Sequence, residues 1–282
     1  MKAKKNLINL IFWISLAIVF NIFIYYLKGE RSATEFLGGY IVEMSLSLDN
    51  LFLFIIVFSK LGIREDYQER VLLYGVMGAM ILRLIFILLG VAMVSRFHFI
   101  LPIFGIILLY SGFTVFSNKE TEIKFKDNFL VKLLKKIMPV TDVTYGHSFF
   151  TKINKSYYAT PLLAALLIIE GSDVIFAIDS IPAIFSITTD TFIVYTSNIF
   201  AILGLRSMYY VLAKMNNMFR FMKYGVGAIL IFTGVKLLIL IFEIEISVTN
   251  SILVILSILL SSILLSLIFS GRSTNKRKRM YP

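Results

Sequence analysis

Eight apolar runs, each about the length of a bilayer crossing, alternate with polar segments along the chain. They fall at about 7–27, 36–59, 71–94, 97–116, 160–185, 191–213, 221–242 and 249–269, against roughly 20 residues for one transmembrane helix. The third and fourth are separated only by Ser95 and Arg96. The first follows Lys2, Lys4 and Lys5, as a signal peptide would. Its apolar stretch is too long and lacks a small-residue cleavage site, so it reads as a retained span. The expected fold is an all-α polytopic membrane protein of about eight transmembrane helices in one domain, 1–282.

Two of these runs carry acids where hydrocarbon should reject them. The second contains Glu43-Met-Ser-Leu-Ser-Leu-Asp49-Asn50, and the fifth contains Glu170-Gly-Ser-Asp173-Val-Ile-Phe-Ala-Ile-Asp179-Ser180. Each holds an acid followed six positions later by an aspartate: Glu43 to Asp49, and Asp173 to Asp179. One ionised side chain at bilayer depth costs about 2.5–3.5 kcal/mol on insertion scales, so five cost on the order of 10–15 kcal/mol without partners. A bound cation would answer that cost.

Charge sets the orientation. With both ends inside, cytoplasmic segments hold Lys2, Lys4, Lys5, Lys60, Arg64, Arg70, Lys214, Arg220, Lys223 and Arg272. They also hold the lysines of a long loop over 117–159 and the basic tail after 275. The outer loops hold only Lys28, Arg31 and Arg96. This asymmetry obeys the positive-inside rule, and seven or nine spans would scramble it. The expected location is the cytoplasmic (inner) membrane. The net charge of +11 is spread between apolar runs rather than over one soluble face, which argues against nucleic acid as a partner. Within the long loop, Phe129, Leu130, Leu133, Leu134 and Ile137 share a helical face opposite Lys132, Lys135 and Lys136. That pattern fits a short helix lying on the membrane surface, or a lysine-rich loop that merely satisfies topology. His147 reads as a loop residue.

The runs also repeat. Arg83 in the third matches Arg206 in the sixth, and Gly105-Ile-Ile-Leu-Leu-Tyr-Ser-Gly112 matches Gly227-Ala-Ile-Leu-Ile-Phe-Thr-Gly234. Spans two to four (repeat A, 36–116) and five to seven (repeat B, 160–242) therefore read as two copies of a three-helix unit, with 7–27 and 249–269 outside them. An odd number of spans makes the copies inverted, as in many secondary transporters whose sites lie between repeats at the midplane.

The chemistry expected follows from the donor types. With no Cys and only His98 and His147, thiolate, redox and most imidazole ligation are excluded, and the oxygens suit hard divalent cations. Asp49 and Asp173 lie near span centres, Glu43 and Asp179 nearer an end. Residues six apart point about 120° from each other, so convergence needs either a broken helix or two faces packed on one cavity. Gly171 and Pro182 make the fifth span the candidate for a break. Ser45, Ser47, Asn50, Ser172, Ser180, Ser197 and Asn198 supply neutral oxygens. Arg83 and Arg206 would neutralise acids when no cation is bound, and Lys236 would snorkel to the interface. In the competing reading the acids only pair with these three bases, yet five acids outnumber them. No nucleophile–base pair or phosphate-binding loop is present, so an enzyme is not expected, and the pattern sets no oligomeric state.

The stretches Glu43-x-Ser-Leu-Ser-Leu-Asp49-Asn50-Leu-Phe, Asp173-Val-Ile-Phe-Ala-Ile-Asp179-Ser-Ile-Pro182 and Thr196-Ser-Asn198-Ile-Phe-Ala-Ile-Leu-Gly-Leu-Arg206-Ser resemble the signature of the TerC/Alx family. The resemblance runs from about the first span to the last and is most specific over 170–212. It implies a multi-pass transporter of the LysE-type group, associated with manganese export and, in some relatives, calcium or proton exchange. It implies Glu43, Asp49, Asn50, Asp173 and Asp179, together with Glu170 and Asn198, as metal ligands, and the residue chemistry above adds Ser47, Ser180, Arg83 and Arg206 in support. Longer members carry a further N-terminal span. The resulting expectation is a divalent-metal efflux transporter with Mn²⁺ as substrate rather than resident cofactor, and with protons as the coupling partner. The alternatives are a Ca²⁺/proton exchanger, or a membrane interaction protein delivering metal to secreted or stress-response partners. Tellurite, an anion, would meet a cavity of carboxylates.

Overall fold

The computed structural model describes residues 2–97, 99–116, 129–214 and 221–278, without the side chains of 2–5, Asp49, Lys214 and 269–278. His98 and the loop lysines Lys119, Lys124 and Lys126 lie outside the described residues. The helices are α1 (Lys2–Lys60), α2 (Glu65–Arg96), α3 (Ile100–Phe116), α4 (Phe129–Ile137), α5 (Pro161–Phe185), α6 (Thr191–Lys214), α7 (Met222–Ile239) and α8 (Val248–Lys278).

α1 is two spans rather than one. At Gly29 the backbone leaves the helix with φ 86° and ψ 177°, a conformation essentially restricted to glycine. Phe20 and Phe36, on either side of it, have ring centroids 5.5 Å apart. In a straight helix sixteen residues would separate them by about 24 Å, so the chain folds back on itself. The sequence reading placed a polar loop at 28–35, whereas the helix resumes directly after Gly29. Among the described residues, six helices are long and apolar enough to cross a membrane. The first of these is the folded α1, which counts twice, and α3, at 17 residues, is at the short limit, so the described residues hold seven or eight crossings.

The outer ends of the α1 limbs are held by polar contacts that the apolar pattern did not reveal. Arg31 Nε donates to Glu35 Oε1 at 3.0 Å, and Thr188 Oγ1 donates to Glu35 Oε2 at 2.7 Å. Lys28 Nζ donates to Asp190 Oδ2 at 3.0 Å, while Asp190 Oδ1 accepts from the Phe192 and Ile193 amides that open α6. Partial burial pushes the Asp190 carboxyl up, but the Lys28 hydrogen bond and these amides outweigh it and hold it below the usual carboxylate range. A depressed carboxylate stabilises fully above its unfolded pKa, about 3.9. That contribution is lost as pH falls through the lower folded value. Because the pair is well exposed, Asp190→Asn should lower stability by under about 1 kcal/mol at neutral pH. Melting temperatures of the two proteins should differ at about pH 4 and above and converge only as pH falls further, through the depressed folded value.

α3 and α7 meet through glycines. A methyl group on Gly105 would lie 2.9 Å from the Gly234 carbonyl oxygen, one on Gly234 would lie 2.8 Å from that of Gly105, and one on Gly112 would lie 2.8 Å from that of Gly227. Backbone cannot move aside as a side chain can. Gly112→Val should therefore cost about 1–3 kcal/mol by overpacking, read as a lower melting temperature of the full chain in detergent.

The long loop contains elements that the sequence reading missed. β1 (Phe150–Ile153) and β2 (Ser156–Ala159) form an antiparallel hairpin across Asn154 and Lys155, both at positive φ, as a two-residue hairpin turn requires. His147 sits edge-on to Tyr67, with centroids 4.9 Å apart, and has a packing role.

Candidate functional site

Arg83 is the most enclosed basic residue among the described residues, with 1% of its surface exposed, on the α2 turn facing α1, α5 and α6. Its Nη1 donates to Glu43 Oε1 and, at 2.7 Å, to Asn198 Oδ1. Its Nη2 and Nε donate to the two oxygens of Asp173 at 3.2 and 3.4 Å. One guanidinium thus ties together α1, α5 and α6, using the planar fork that a lysine lacks. Asn198 is oriented for this by its own Nδ2, which donates to the Val194 carbonyl at 3.2 Å.

Beside this cluster lies a cavity of about 170 Å³ lined by Glu43, Ser47, Asn50, Arg83, Ser111, Asp179 and Ser180, with Leu46, Phe176 and Leu230 among its apolar walls. It has room for an ion with several of its waters. Three buried atoms of this lining have no hydrogen-bond partner among the described residues: Glu43 Oε2, Asn50 Oδ1 and Ser180 Oγ. Their residues are 0%, 3% and 2% exposed. Buried polar groups are normally paired, so three orphans on one cavity need an explanation. Asp179, the second carboxylate of the lining, accepts from Ser111 Oγ at 2.7 Å on Oδ1. Glu43 is similarly braced by Ser47 Oγ, which donates to its Oε1 at 3.0 Å.

Convergence is achieved without a broken helix, contrary to the expectation for the fifth span. α5 runs unbroken through Gly171 and Pro182 to Phe185. Pro182 stands in its last turn, where only one intrahelical bond is lost. The operative spacing is seven residues, not six. Seven residues make nearly two turns, so Glu43 and Asn50 share a face of α1, as do Asp173 and Ser180 on α5. Asp179 points about 100° from Ser180 and reaches the same cavity from the side facing α3. Glu43 also lies near the middle of the limb 30–60 rather than toward an end, because the helix starts earlier than the apolar run.

The remaining expected site residues divide by position. Asp173 and Asn198 are bound to Arg83 and adjoin the cavity through it. Glu170 faces α2, packed against Gly75 and Gly78, and its Oε2 has no partner among the described residues. The side chain of Asp49 lies outside the described residues. Arg206 does not neutralise these acids: its Nη2 pairs with Glu69 near the start of α2, beside Glu65 and Asp66. Lys236 does not snorkel. It is 4% exposed, and its Nζ donates to Ser251 Oγ on α8 at 2.7 Å. Sequence reasoning missed Ser111 because its glycine neighbours read as packing alone. The signal was a hydroxyl inside a repeated Gly-x₆-Gly frame. Among the described residues, no three His, Cys, Asp or Glu side chains are grouped closely enough to hold a metal by themselves. A cation here would be held by two carboxylates, neutral oxygens and water.

Residues 28–278 match the model of the integral membrane protein TerC family. An uncharacterized membrane protein of Myxococcus xanthus is 45% identical over 258 residues, covering 92% of this chain and 81% of that one. The Alx protein of Escherichia coli strain K12, named as a candidate membrane-bound redox modulator, is 45% identical over 235 residues, or 80% of this chain and 73% of that one. A membrane protein of Rickettsia bellii is 40% identical over 239 residues, 85% of this chain and 79% of its own. No solved structure matches. With Glu43 and Asp179 of the signature stretches on one cavity and the family match spanning residues 28–278, this chain belongs to the integral membrane TerC family.

Proposed function

We propose that the protein exports a divalent metal cation, Mn²⁺ foremost, across the cytoplasmic membrane by alternating access at the Glu43–Asp179 cavity. The observation that carries this reading is the set of buried, unpartnered oxygens, Glu43 Oε2, Asn50 Oδ1 and Ser180 Oγ, on one cavity with Asp179. Hard divalent ions take oxygen donors and keep waters, and this lining offers both. With Arg206 and Lys236 engaged elsewhere, Glu43, Glu170, Asp173 and Asp179 have Arg83 as their one basic partner among the described residues. That surplus favours a cation over an internal ion-pair network. Carboxylates that release a cation can take up protons, so proton exchange is the coupling in this reading. The reciprocal contacts of Gly105 with Gly234 and of Gly112 with Gly227 support an inverted repeat, since exchanging the two copies maps one contact onto the other.

The redox role in the Escherichia coli relative's name has no thiol to act through here, because these 282 residues contain no cysteine. Thermal stabilisation of the purified full chain ranks the ions, since a ligand that binds only the folded state raises the melting temperature with its concentration. Mn²⁺ should raise it at lower concentration than Ca²⁺, and Ca²⁺ at lower concentration than Mg²⁺. A Ca²⁺-first order would move the reading to calcium/proton exchange, and no shift with any of them would remove it.

A further inference from the structure

Helix α4 presents three faces to three surroundings. Val131 and Leu134, each 7% exposed, pack on the start of α5, Val131 in the core with Leu162 and Ala165 and Leu134 against Ala164. On the next arc Phe129, Leu133 and Ile137, spaced by four, are 75%, 43% and 74% exposed. The remaining arc carries Lys132, Lys135 and Lys136. In a water-facing helix that apolar arc would be a liability. In a chain whose neighbouring helices cross a bilayer, it faces acyl chains beside the bundle, with the lysines at headgroup level. The adjacent hairpin continues this surface: Phe150 and Tyr157 are 52% and 64% exposed, and Lys152 Nζ lies 5.5 Å from the Tyr157 ring centre. Aromatic rings and lysines together mark a membrane–water boundary. The positive-inside pattern puts it on the cytoplasmic leaflet, where anionic lipids attract basic segments.

One further contact links α4 to the carboxylate helix. Leu130 packs against the bare backbone of Gly171, where a Cβ would collide with its Cδ1. Gly171 lies between Glu170 and Asp173 on α5.

We propose that α4 and the β1–β2 hairpin are an anionic-lipid docking surface, and that Leu130 in the Gly171 notch couples lipid charge to the acid-bearing turn of α5. The lipid contact stands on the fold alone, whereas its consequence for the carboxylates rests on the transport reading.

The absence of cysteine makes the test simple, because any introduced thiol is unique. Full-length Leu133→Cys and Lys135→Cys would be placed in nanodiscs of phosphatidylcholine, or of an equal mixture with phosphatidylglycerol, and labelled with a charged maleimide. The Leu133→Cys rate should fall about tenfold in the anionic discs and recover at high salt, while Lys135→Cys changes little. Lys132→Gln/Lys135→Gln/Lys136→Gln, added to Leu133→Cys, should abolish the lipid dependence. Gly171→Ala should raise Leu133→Cys labelling by displacing Leu130. Equal rates in both lipids would overturn the proposal. So would protection that follows protein-to-disc ratio instead of lipid charge, which would assign the face to a second copy. An unchanged rate in Gly171→Ala would overturn the coupling. None of these readouts requires metal flux, so failure here is distinct from failure of the transport reading.

Discussion

Arg83→Leu is expected to destabilise the protein by about 3–5 kcal/mol, the cost of leaving a buried ion partner unpaired. Glu43 and Asp173 share this guanidinium, and both are buried, so the substitution strands two carboxylates and one oxygen of Asn198. Arg83→Lys keeps the charge but cannot bridge three side chains on three helices, and should recover only part of the loss. The informative control removes charge from both sides. Arg83→Leu/Asp173→Leu should be more stable than Arg83→Leu alone, because an apolar replacement of a buried pair is often neutral. Melting of the four proteins in one detergent measures this. If Arg83→Leu melts with the wild type, the cluster does not hold α1, α5 and α6 together.

Asp179→Asn should have the opposite profile: an intact fold and a lost function. Asparagine keeps the shape, and its Oδ1 can still accept from Ser111, so the melting temperature should stay near that of the wild type. The cavity loses one of its two carboxylates, however, and only Glu43 Oε2 remains as a charged donor facing it. Even groups one step removed from a metal cost 10–100-fold in affinity when removed, so loss of a direct ligand should cost at least about 100-fold for Mn²⁺. In cells lacking other exporters, the variant should give no protection against manganese. Wild-type protection by Asp179→Asn would remove this carboxylate from the site.

Much of the architecture was legible because a bilayer enforces it. Apolar runs of crossing length marked eight candidate spans, and each has a helical counterpart among the described residues at nearly the expected place. The acids were visible for the same reason, since hydrocarbon rejects unpartnered charge and makes Glu43 and Asp179 stand out. What escaped was local geometry. The six-residue acid spacing drew attention to a helix break, while the neutral partners one residue further on, Asn50 and Ser180, complete the faces that meet. Apolar periodicity carries no information about which way a helix turns within a bundle that lipid surrounds. Arg83 and Arg206 look equivalent in sequence, yet only packing decides that one meets Glu43 and Asp173 and the other meets Glu69. The Gly29 reversal and the Glu35–Thr188 contact were hidden because each rests on one or two residues in a segment that reads as a plain loop.

The most direct measurement is Mn²⁺ movement in proteoliposomes holding the full chain under an imposed pH gradient, with Asp179→Asn prepared in parallel. The wild type should carry Mn²⁺ well above protein-free liposomes, faster when the proton gradient opposes the metal's direction, and Asp179→Asn should match protein-free liposomes. Wild-type flux no greater than in protein-free liposomes, or equal flux in the two proteins, would contradict transport through the Glu43–Asp179 cavity.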